Sequence, residues 1–288
     1  MKNKIILITG STGGIGFQTA LGFAKLGGTI ILTGRNKTSS EASVMEIKQQ
    51  SGNQNVDFLL GDLSTQAGIR SLAAQFKQKY NHLDVLINNV GHTQPTRSMT
   101  PDGVESVFAV NVVSPVLLTT LLMESLKAAI SARVITLTGG DTPNVLDINN
   151  LQSEKSYDGL ITYSNSKVAM MAVMREYAER TKGSTVTMNV CYPGQASTNM
   201  TRSVTPEMFS GAMRLIYPLF KLITRPDGGK SAAKAARSSI YLASSPDLEG
   251  VSGKYFDKNC KEKDWPLPAQ DVSIRAKVWA EVQKVIRP

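Results

Sequence analysis

Short runs of apolar residues recur along the first two thirds of the chain, and each run is followed by a segment long enough to form a helix. Because the runs are nearly uninterrupted, they predict strands that are buried on both faces of a sheet. Strands that alternate with helices in this way predict a doubly wound α/β architecture around a parallel sheet. The predicted strands cover residues 4–9, 29–33, 56–60, 83–88, 133–138 and 185–191.

The pattern becomes irregular after about residue 195. A variable stretch at 198–225 is followed by a helical pattern at about 227–243, a short strand near 254–256 and a helix near 272–286. We therefore expect a single domain over residues 1–288. Its predicted parts are a cofactor-binding and catalytic core at about 1–195, a substrate lid at about 196–226, and C-terminal helices with a last strand at 227–288.

The most apolar part of the variable stretch is 208–224, which contains Arg214, Pro218 and Lys221. A membrane-spanning helix needs roughly 20 uninterrupted apolar residues, and no stretch of the chain reaches that length. We therefore expect no membrane-spanning helix. Two interpretations of 208–224 remain open. It forms either an amphipathic helix that makes peripheral contact with a membrane, or a lid over an apolar substrate pocket, and the lid is the preferred interpretation.

Composition narrows the choice of function. The net charge is +9, but the cations are scattered and no basic block with interleaved aromatic residues occurs, so we expect no nucleic-acid partner and interpret the charge as a basic surface that attracts an anionic cofactor. The two cysteines, Cys191 and Cys260, lie far apart without metal-ligand spacing, which predicts neither a disulfide framework nor a metal site. No signal-peptide pattern precedes the first strand, so a cytoplasmic location is expected.

A glycine-rich turn, TGSTGGIG at residues 9–16, comes directly after the first predicted strand and opens a helical pattern. Gly10 suits a tight turn, Gly14 lets the backbone approach a pyrophosphate, and Gly16 allows close helix packing. The N–H groups of the helix start are free to bind phosphates. This context predicts a dinucleotide site, with Gly10, Ser11, Thr12, Gly14, Ile15 and Gly16 as cofactor contacts.

The end of the second strand indicates which dinucleotide is bound. Residues 33–40 contain no carboxylate to accept a hydrogen bond from a ribose 2′-hydroxyl, whereas Arg35, with Lys37 nearby, can neutralise a 2′-phosphate. NADP(H) is therefore the expected cofactor, with Arg35 and Asn36 among its contacts.

Together with two further motifs, the turn resembles the short-chain dehydrogenase/reductase family, whose fold is a Rossmann-type doubly wound sheet. These motifs are Asp62-Leu63 after the third strand and Asn88-Asn89-Val90-Gly91 after the fourth, where the family usually has NNAG. The resemblance implies that Asp62 and Leu63, and Asn89, Val90 and Gly91, contact the adenine and ribose of the cofactor. From the residues alone, Asp62 could equally cap a helix, and Asn88 could be a turn residue.

The candidate catalytic residues follow the fifth strand. Tyr163 and Lys167, in YSNSK, are four residues apart on a helical pattern, so both lie on one face. A nearby ammonium group would lower the tyrosine pKa and allow proton exchange with a carbonyl or alcohol. The pair resembles the family's catalytic tyrosine and lysine, which implies that Tyr163 and Lys167 also contact the cofactor, with Lys167 holding its ribose. Asn111 matches the family's asparagine, which orients a water linked to the lysine. The implied reaction is hydride transfer between NADP(H) and a carbonyl or alcohol.

The chain departs from the family at the end of the fifth strand, where Gly139 stands in the place of the catalytic serine. Thr138 carries a hydroxyl, but strand alternation predicts that it points away from the site unless a bulge intervenes. Three options follow: a slow reductase, an enzyme that uses Thr138, Asp141 or Thr142 instead, or a catalytically impaired NADP(H)-binding regulatory or interaction protein.

Further resemblances concern the substrate and the assembly. Pro193, Gly194 and Thr198, after the sixth strand, match the segment that closes over the nicotinamide. Residues 147–157 and 253–256 are most similar to the retinol dehydrogenase and protochlorophyllide reductase branch, which implies a lipophilic substrate reached beneath 209–220. The family commonly pairs through the helices that correspond to 101–130 and 161–180, so a homodimer or homotetramer is expected.

Overall fold

A computed structural model describes residues 1–139, 144–209 and 211–286, with the backbone alone at Ala212 and Met213. Eight strands form one sheet in the order β3-β2-β1-β4-β5-β6-β7-β8, and every neighbouring pair is parallel except β7 and β8. The strands are β1 Ile5–Ile8, β2 Thr29–Gly34, β3 Val56–Leu60, β4 Val85–Asn88, β5 Ala132–Leu137, β6 Val186–Cys191, β7 Tyr255–Phe256 and β8 Glu262–Lys263.

Helices lie on both sides of this sheet. A π-helical turn, Ala109–Val113, joins α4 to α5 in one continuous helical stretch. The α-helices are α1 Gly14–Lys25, α2 Lys37–Ser51, α3 Gln66–Lys79, α4 Ser106–Phe108, α5 Ser114–Leu121, α6 Met123–Lys127, α7 Gly159–Arg180, α8 Asn199–Arg202, α9 Tyr217–Ile223, α10 Lys230–Ser244, α11 Leu267–Gln270 and α12 Val272–Ile286. Residues 148–150, 206–208, 211–216 and 246–248 form 3-10 turns.

Two apolar layers cover the two faces of the sheet. Ile6 and Ile8 of β1 pack in the layer that contains α1, α2 and α10, whereas Leu7 points into the layer that contains α3, α5 and α7. Side chains of a strand alternate between the two faces, so a strand covered on both sides needs an apolar residue at every position. This requirement explains the unbroken apolar runs and confirms the predicted doubly wound sheet.

The predicted strands are all present, with ends that differ by one or two residues. One strand was missed. β8 pairs antiparallel with β7 at the sheet edge, and its two residues, Glu262 and Lys263, are exposed, so it has no apolar pattern to reveal it. The described residues of the lid region, 196–209 and 211–226, form no long helix. They are divided into α8, 3-10 turns and α9, since Pro206 and Pro218 each open a new helical turn.

The C-terminal helices pack on α7, one of the two helices that the family resemblance assigned to subunit pairing. Both α11 and α12 pack on α7, and the described side chains from Ser166 to Ala178 are buried except for the half-buried Arg175. The chain's own helices thus occupy part of the α7 surface, and a homodimer or homotetramer that pairs through 101–130 and 161–180 stays a prediction. In the described part of the chain, no helix is long and apolar enough to span a membrane.

Candidate active site

The candidate residues meet at one edge of the sheet. In a parallel sheet the carboxyl ends of the strands lie at the same edge, and the turns after β1, β4, β5 and β6 carry the glycine-rich turn, the NNVG motif, Gly139 and the Pro193-Gly194 pair. Helix α7 begins beside this edge. The backbone oxygen of Gly159, its first residue, accepts a hydrogen bond at 3.3 Å from the hydroxyl of Thr93, which follows the NNVG turn. The topology thus brings together motifs that are far apart in sequence.

The glycine-rich turn has the geometry of a phosphate cradle. Gly10 and Gly14 have φ angles of +62° and +55°, which favour glycine. No side chain caps the start of α1 at Gly13, and a Cβ atom added there would meet nothing within 4 Å. The first N–H groups of α1 therefore have no side-chain cap from the described residues and suit a phosphate group. A Cβ atom added at Gly14 would lie 3.0 Å from Thr198 Cγ2, so the two predicted cofactor segments meet here.

Two predicted cofactor residues hold the turn itself together. The buried Ser11 hydroxyl donates to the Ile8 carbonyl oxygen at 2.8 Å and accepts from the Thr33 N–H at 2.9 Å. Asn89 Nδ2 donates to the carbonyl oxygens of Thr9 and Gly10 at 2.8 and 3.1 Å. These polar side chains are used within the protein, and their contribution is to shape the cradle. Thr12 and Ile15, on the same turn, are half-buried.

The tip of β2 offers one unused cation. Arg35 is exposed and forms no hydrogen bond or ion pair with any described residue. Asn36, by contrast, is the N-cap of α2, and its Oδ1 accepts from the Ser39 N–H at 2.9 Å. The guanidinium of Arg35 is therefore available to a ligand, whereas the Asn36 side chain is committed to the helix start.

After β3, Asp62 forms a local turn in which its Oδ1 accepts from the N–H and hydroxyl of Ser64 at 2.9 and 2.8 Å. Thr65 is the N-cap of α3, so the helix-cap alternative for Asp62 is wrong. Leu63 is buried in the core, 6% exposed. After β4, the Val90 N–H donates to Thr9 Oγ1 at 3.1 Å, which ties the NNVG turn to the end of β1.

Tyr163 and Lys167 lie on one face of α7, as their spacing predicts. Lys167 is 4% exposed, its Nζ donates to the Leu137 carbonyl oxygen at 3.3 Å, and it lies 5.8 Å from the centroid of the Tyr163 ring. A Cβ atom added at Gly91 would lie 3.5 Å from Lys167 Nζ, so the NNVG turn passes directly by the ammonium group.

The pKa shifts of the pair do not follow the simple expectation from sequence. Burial, with a smaller effect from Tyr192, raises the pKa of Tyr163 to about 12, and burial lowers the pKa of Lys167 to about 8. Burial disfavours the charged form of each group, the phenolate of Tyr163 and the ammonium of Lys167. In the protein alone, the phenol is thus held protonated and ready to act as an acid.

Asn111 lies in the π-helical turn and connects three segments. Its Nδ2 donates to the His92 carbonyl oxygen and to Ser166 Oγ, both at 2.9 Å, and its Oδ1 accepts from the His92 N–H at 2.8 Å. Ser166 Oγ in turn donates to the Tyr163 carbonyl oxygen at 2.6 Å. Ser166 was missed from sequence, although its position in YSNSK, three residues after Tyr163, places it one helical turn away.

Gly139 lies against the catalytic pair. A Cβ atom added there would lie 2.9 Å from Tyr163 Oη and 3.2 Å from Lys167 Cγ. Thr138 is buried, and its hydroxyl has no hydrogen-bond partner among the described residues. No hydrogen bond within the described part of the chain joins the Thr138 hydroxyl to Tyr163. Asp141 and Thr142, the other serine replacements considered, lie outside the described residues.

The remaining candidates complete the rim of the site. Gly194 has a φ angle of +90° and follows the buried Pro193, and Thr198 caps α8 by accepting from the Thr201 N–H at 3.2 Å. Tyr157, considered from sequence as a structural or pocket residue, donates its hydroxyl to the Gln94 carbonyl oxygen at 3.0 Å. The described residues contain no group of three or more histidine, cysteine or carboxylate side chains that could hold a metal ion.

Comparison with known proteins identifies relatives that match nearly the whole chain. The family described as short chain dehydrogenase matches residues 4–208. Retinol dehydrogenase 14 of Homo sapiens is 34% identical over 297 residues, which cover 97% of this chain and 85% of that protein. Polyprenol dehydrogenase of Homo sapiens is 36% identical over 288 residues, which cover 97% of this chain and 84% of that protein.

Solved structures share the fold. A crystal structure of an uncharacterized protein from Mycobacterium Paratuberculosis has a TM-score of 0.77 at 22% identity and covers 99% of this chain and 94% of its own. The RhlG/NADP active-site complex of Pseudomonas aeruginosa has a TM-score of 0.66 at 23% identity, with 89% and 95% covered. Together with the match over residues 4–208, these findings confirm the resemblance: the chain belongs to the short chain dehydrogenase family of oxidoreductases.

Proposed function

We propose that this chain is an NADP(H)-dependent reductase or dehydrogenase that interconverts a carbonyl and an alcohol on a lipophilic small molecule. The observation that carries the proposal is the pairing of Tyr163 with the buried Lys167, at the same sheet edge as the uncapped glycine-rich turn. An acid and a cation beside a dinucleotide cradle are the groups that carbonyl reduction needs.

The residues present fit NADP(H). The open start of α1 at Gly13 suits the pyrophosphate, and the unpaired Arg35 at the tip of β2 suits a 2′-phosphate, for which a carboxylate would be repulsive. The RhlG protein of Pseudomonas aeruginosa, which shares the fold, forms a complex with NADP. When bound, the cofactor supplies the hydride that is added to the carbonyl carbon.

In the reducing direction, Tyr163 donates its hydroxyl proton to the carbonyl oxygen, so that the substrate gains one hydride and one proton and leaves as an alcohol. Lys167 stabilises the phenolate that remains, because its ammonium group is held beside the ring with little competing water. Asn111 and Ser166 support the pair by fixing the backbone of α7 at Tyr163. The tyrosine then regains a proton from solvent.

Two observations support a lipophilic substrate. The relatives include proteins named retinol dehydrogenase 14 and polyprenol dehydrogenase. The expected lid also has an apolar interior, in which Phe209 packs edge-on against Tyr217 and Phe220 with ring centroids 5.8 and 5.6 Å apart. Assembly as a homodimer or homotetramer and a cytoplasmic location stay predictions.

A second candidate function rests on Gly139. Loss of a hydrogen-bond donor to the developing oxyanion costs about 10² to 10³ in rate, so a binding protein without turnover is a genuine rival. The test is NADPH oxidation on a panel of apolar aldehydes, ketones and quinones. Turnover by the native chain supports the oxidoreductase proposal, whereas cofactor binding without turnover supports the rival.

The same assay with Gly139→Ala and Gly139→Ser separates the effect of the added side-chain volume from the effect of a serine hydroxyl. Because an added Cβ atom would press on Tyr163 Oη, we expect both variants to be about tenfold slower than the native chain, a loss of about 1.4 kcal/mol of transition-state stabilisation. The alanine variant is the matched control for the serine hydroxyl. If Gly139→Ser is faster than the native chain, the glycine is a catalytic defect and the steric argument fails.

For Arg35→Asp, we expect NADPH affinity to fall by about 10-fold to 100-fold, since a charge-assisted contact worth about 1.5–3 kcal/mol is lost and replaced by repulsion. NADH affinity should change by less than about threefold, because NADH has no 2′-phosphate. Fluorescence titration of both nucleotides measures this. Lys77→Asp, at an exposed lysine of α3, is the control for a general charge effect. An equal loss for both nucleotides would contradict the assignment.

The pH dependence of the reduction rate should reflect the protonation of the Lys167 side chain. Its pKa is lowered to about 8, so the ammonium is charged below that pH and neutral above it, and only the charged form stabilises the Tyr163 phenolate. We expect kcat/KM at limiting NADPH, which reflects the free enzyme, to fall with rising pH above about 8. The pKa of Tyr163, about 12, lies outside this range. A flat profile up to pH ~10 would rule out this role for the lysine.

A further inference from the structure

The strongest feature outside the active site is an exposed apolar face on and before α9. Residues 215–223 carry five large apolar side chains that are about half or more exposed, from Ile216 at 49% to Leu215 at 83%. The others are Leu219, Leu222 and Ile223. No other nine-residue stretch of the described chain carries as many. A contiguous exposed apolar patch of this kind marks a contact surface.

The patch lies opposite the face by which α9 is attached to the protein. Tyr217 and Phe220 point towards Phe209, and Thr224, at the C-cap of α9, is buried. With 3.6 residues per turn, Leu215, Leu219 and Leu222 fall together on the other side. A surface helix normally presents polar residues on the side that faces water. Helix α9 is instead apolar on both sides, while protein covers only one of them.

The charges around the patch indicate what covers the second side. Residues 198–226 contain four cations, Arg202, Arg214, Lys221 and Arg225, and a single carboxylate, Glu207. Arg214 and Arg225 are exposed, at the two ends of the apolar face. An apolar stripe bordered by cations is complementary to a lipid bilayer with anionic headgroups, since the side chains enter the acyl region and the cations remain among the headgroups.

We propose that residues 215–223 dock this protein on the surface of an anionic lipid bilayer. A second copy of the chain is the less favoured occupant, because a stable protein interface needs about 20–30 residues on each side and this patch is much shorter. The docking requires neither the cofactor nor turnover. Its use rests on the proposed function, because a lipophilic carbonyl or alcohol would be taken from the bilayer.

The docking surface is connected to the active site through short contacts. Lys221 Nζ donates to the Arg202 carbonyl oxygen at 2.6 Å, and the Ser197 hydroxyl donates to the Thr224 carbonyl oxygen at 2.8 Å. At the other end, a Cβ atom added at Gly159, the first residue of the catalytic helix α7, would lie 3.2 Å from Met208 Cβ. A bilayer at α9 would therefore lie close to the start of the catalytic helix α7, one turn before Tyr163.

The test is flotation of the purified full chain with vesicles of phosphatidylcholine, alone or mixed with phosphatidylserine, without nucleotide or substrate. We expect the native chain to float with the mixed vesicles. The double variant L219E/L222E should lower the partition coefficient by roughly 100-fold or more, since two inserted leucines are lost and two anions added. The variant Arg225→Gln should lower it about fivefold on mixed vesicles alone.

The matched control is I130E/M45E, which adds the same charges at side chains that are 92% and 71% exposed elsewhere on the surface. It should float as the native chain does, and all variants should keep the native melting temperature. The proposal is overturned if the native chain stays at the bottom, if L219E/L222E floats equally well, or if sedimentation shows a native dimer that this variant dissociates. Failure of the proposed function would appear only in the NADPH oxidation assay.

Discussion

Replacing Tyr163 by phenylalanine should reduce carbonyl reduction by about 10³-fold while leaving NADPH affinity within about threefold of native, because general acid catalysis typically contributes 10²–10⁴ in rate. Burial raises the pKa of this phenol to about 12, so it is fully protonated at neutral pH and is the group positioned to give a proton to the substrate oxygen. Single-turnover NADPH oxidation and nucleotide titration measure the two effects separately.

Tyr157→Phe is the control for loss of a hydroxyl group near the same site. The Tyr157 hydroxyl donates to the Gln94 carbonyl oxygen and has no assigned part in the chemistry, so this variant should stay within a few-fold of native turnover. The assignment of Tyr163 is wrong if the two variants lose activity equally, or if Tyr163→Phe retains more than about a tenth of the native rate, a loss of less than about 1.4 kcal/mol.

Gly16→Ala should both destabilise the protein and abolish tight NADPH binding. An added Cβ atom would overlap the Gly10 carbonyl oxygen and lie 2.6 Å from Asn89 Nδ2 and 2.9 Å from Ser11 Cα. The obstacles are mostly backbone, so the turn itself must move. Overpacking of this kind costs about 1–3 kcal/mol or more. We expect a fall in melting temperature of about 5–10 °C and at least a 100-fold loss of affinity.

Gly13→Ala is the matched control for the fold, three residues away in the same turn. Its φ angle of 179° is extended backbone that alanine adopts, and the added Cβ atom would meet no atom within 4 Å. Its melting temperature should therefore stay within about 1 °C of native. Thermal unfolding of both variants decides the matter: equal stability would show that the turn adapts easily and that its close packing is not what requires Gly16.

Helix α7 is one of the two helices through which the family resemblance predicts subunit pairing, and the chain's own C-terminal segment packs against it. Helices α11 and α12 pack on α7 and bury its side chains. The contact includes Arg175 over the Trp265 ring at 5.5 Å and Tyr177 edge-on to Trp279 at 5.1 Å. Aromatic residues of the C-terminal segment thus contact α7 within the same chain.

Local pattern was sufficient for much of this protein. The unbroken apolar runs of the strands, the glycine spacing at 9–16 and the four-residue spacing of Tyr163 and Lys167 are properties of short segments. Backbone geometry alone turns each of them into a strand, a turn or one face of a helix. The alternation of strands and helices then predicts parallel strands. In a parallel sheet, the carboxyl ends of β1, β4, β5 and β6 lie at one edge.

Only the tertiary structure decided how the side chains at that edge are used. Ser11 and Asn89, predicted cofactor contacts, hold the glycine turn, and Ser166, absent from the prediction, links Asn111 to Tyr163. Each of these hydrogen-bonding patterns depends on which polar groups a fold brings within about 3 Å of one another across long sequence separations. The same holds for Gly139 against Tyr163 and for the uncovered side of α9, since packing determines which surfaces remain exposed.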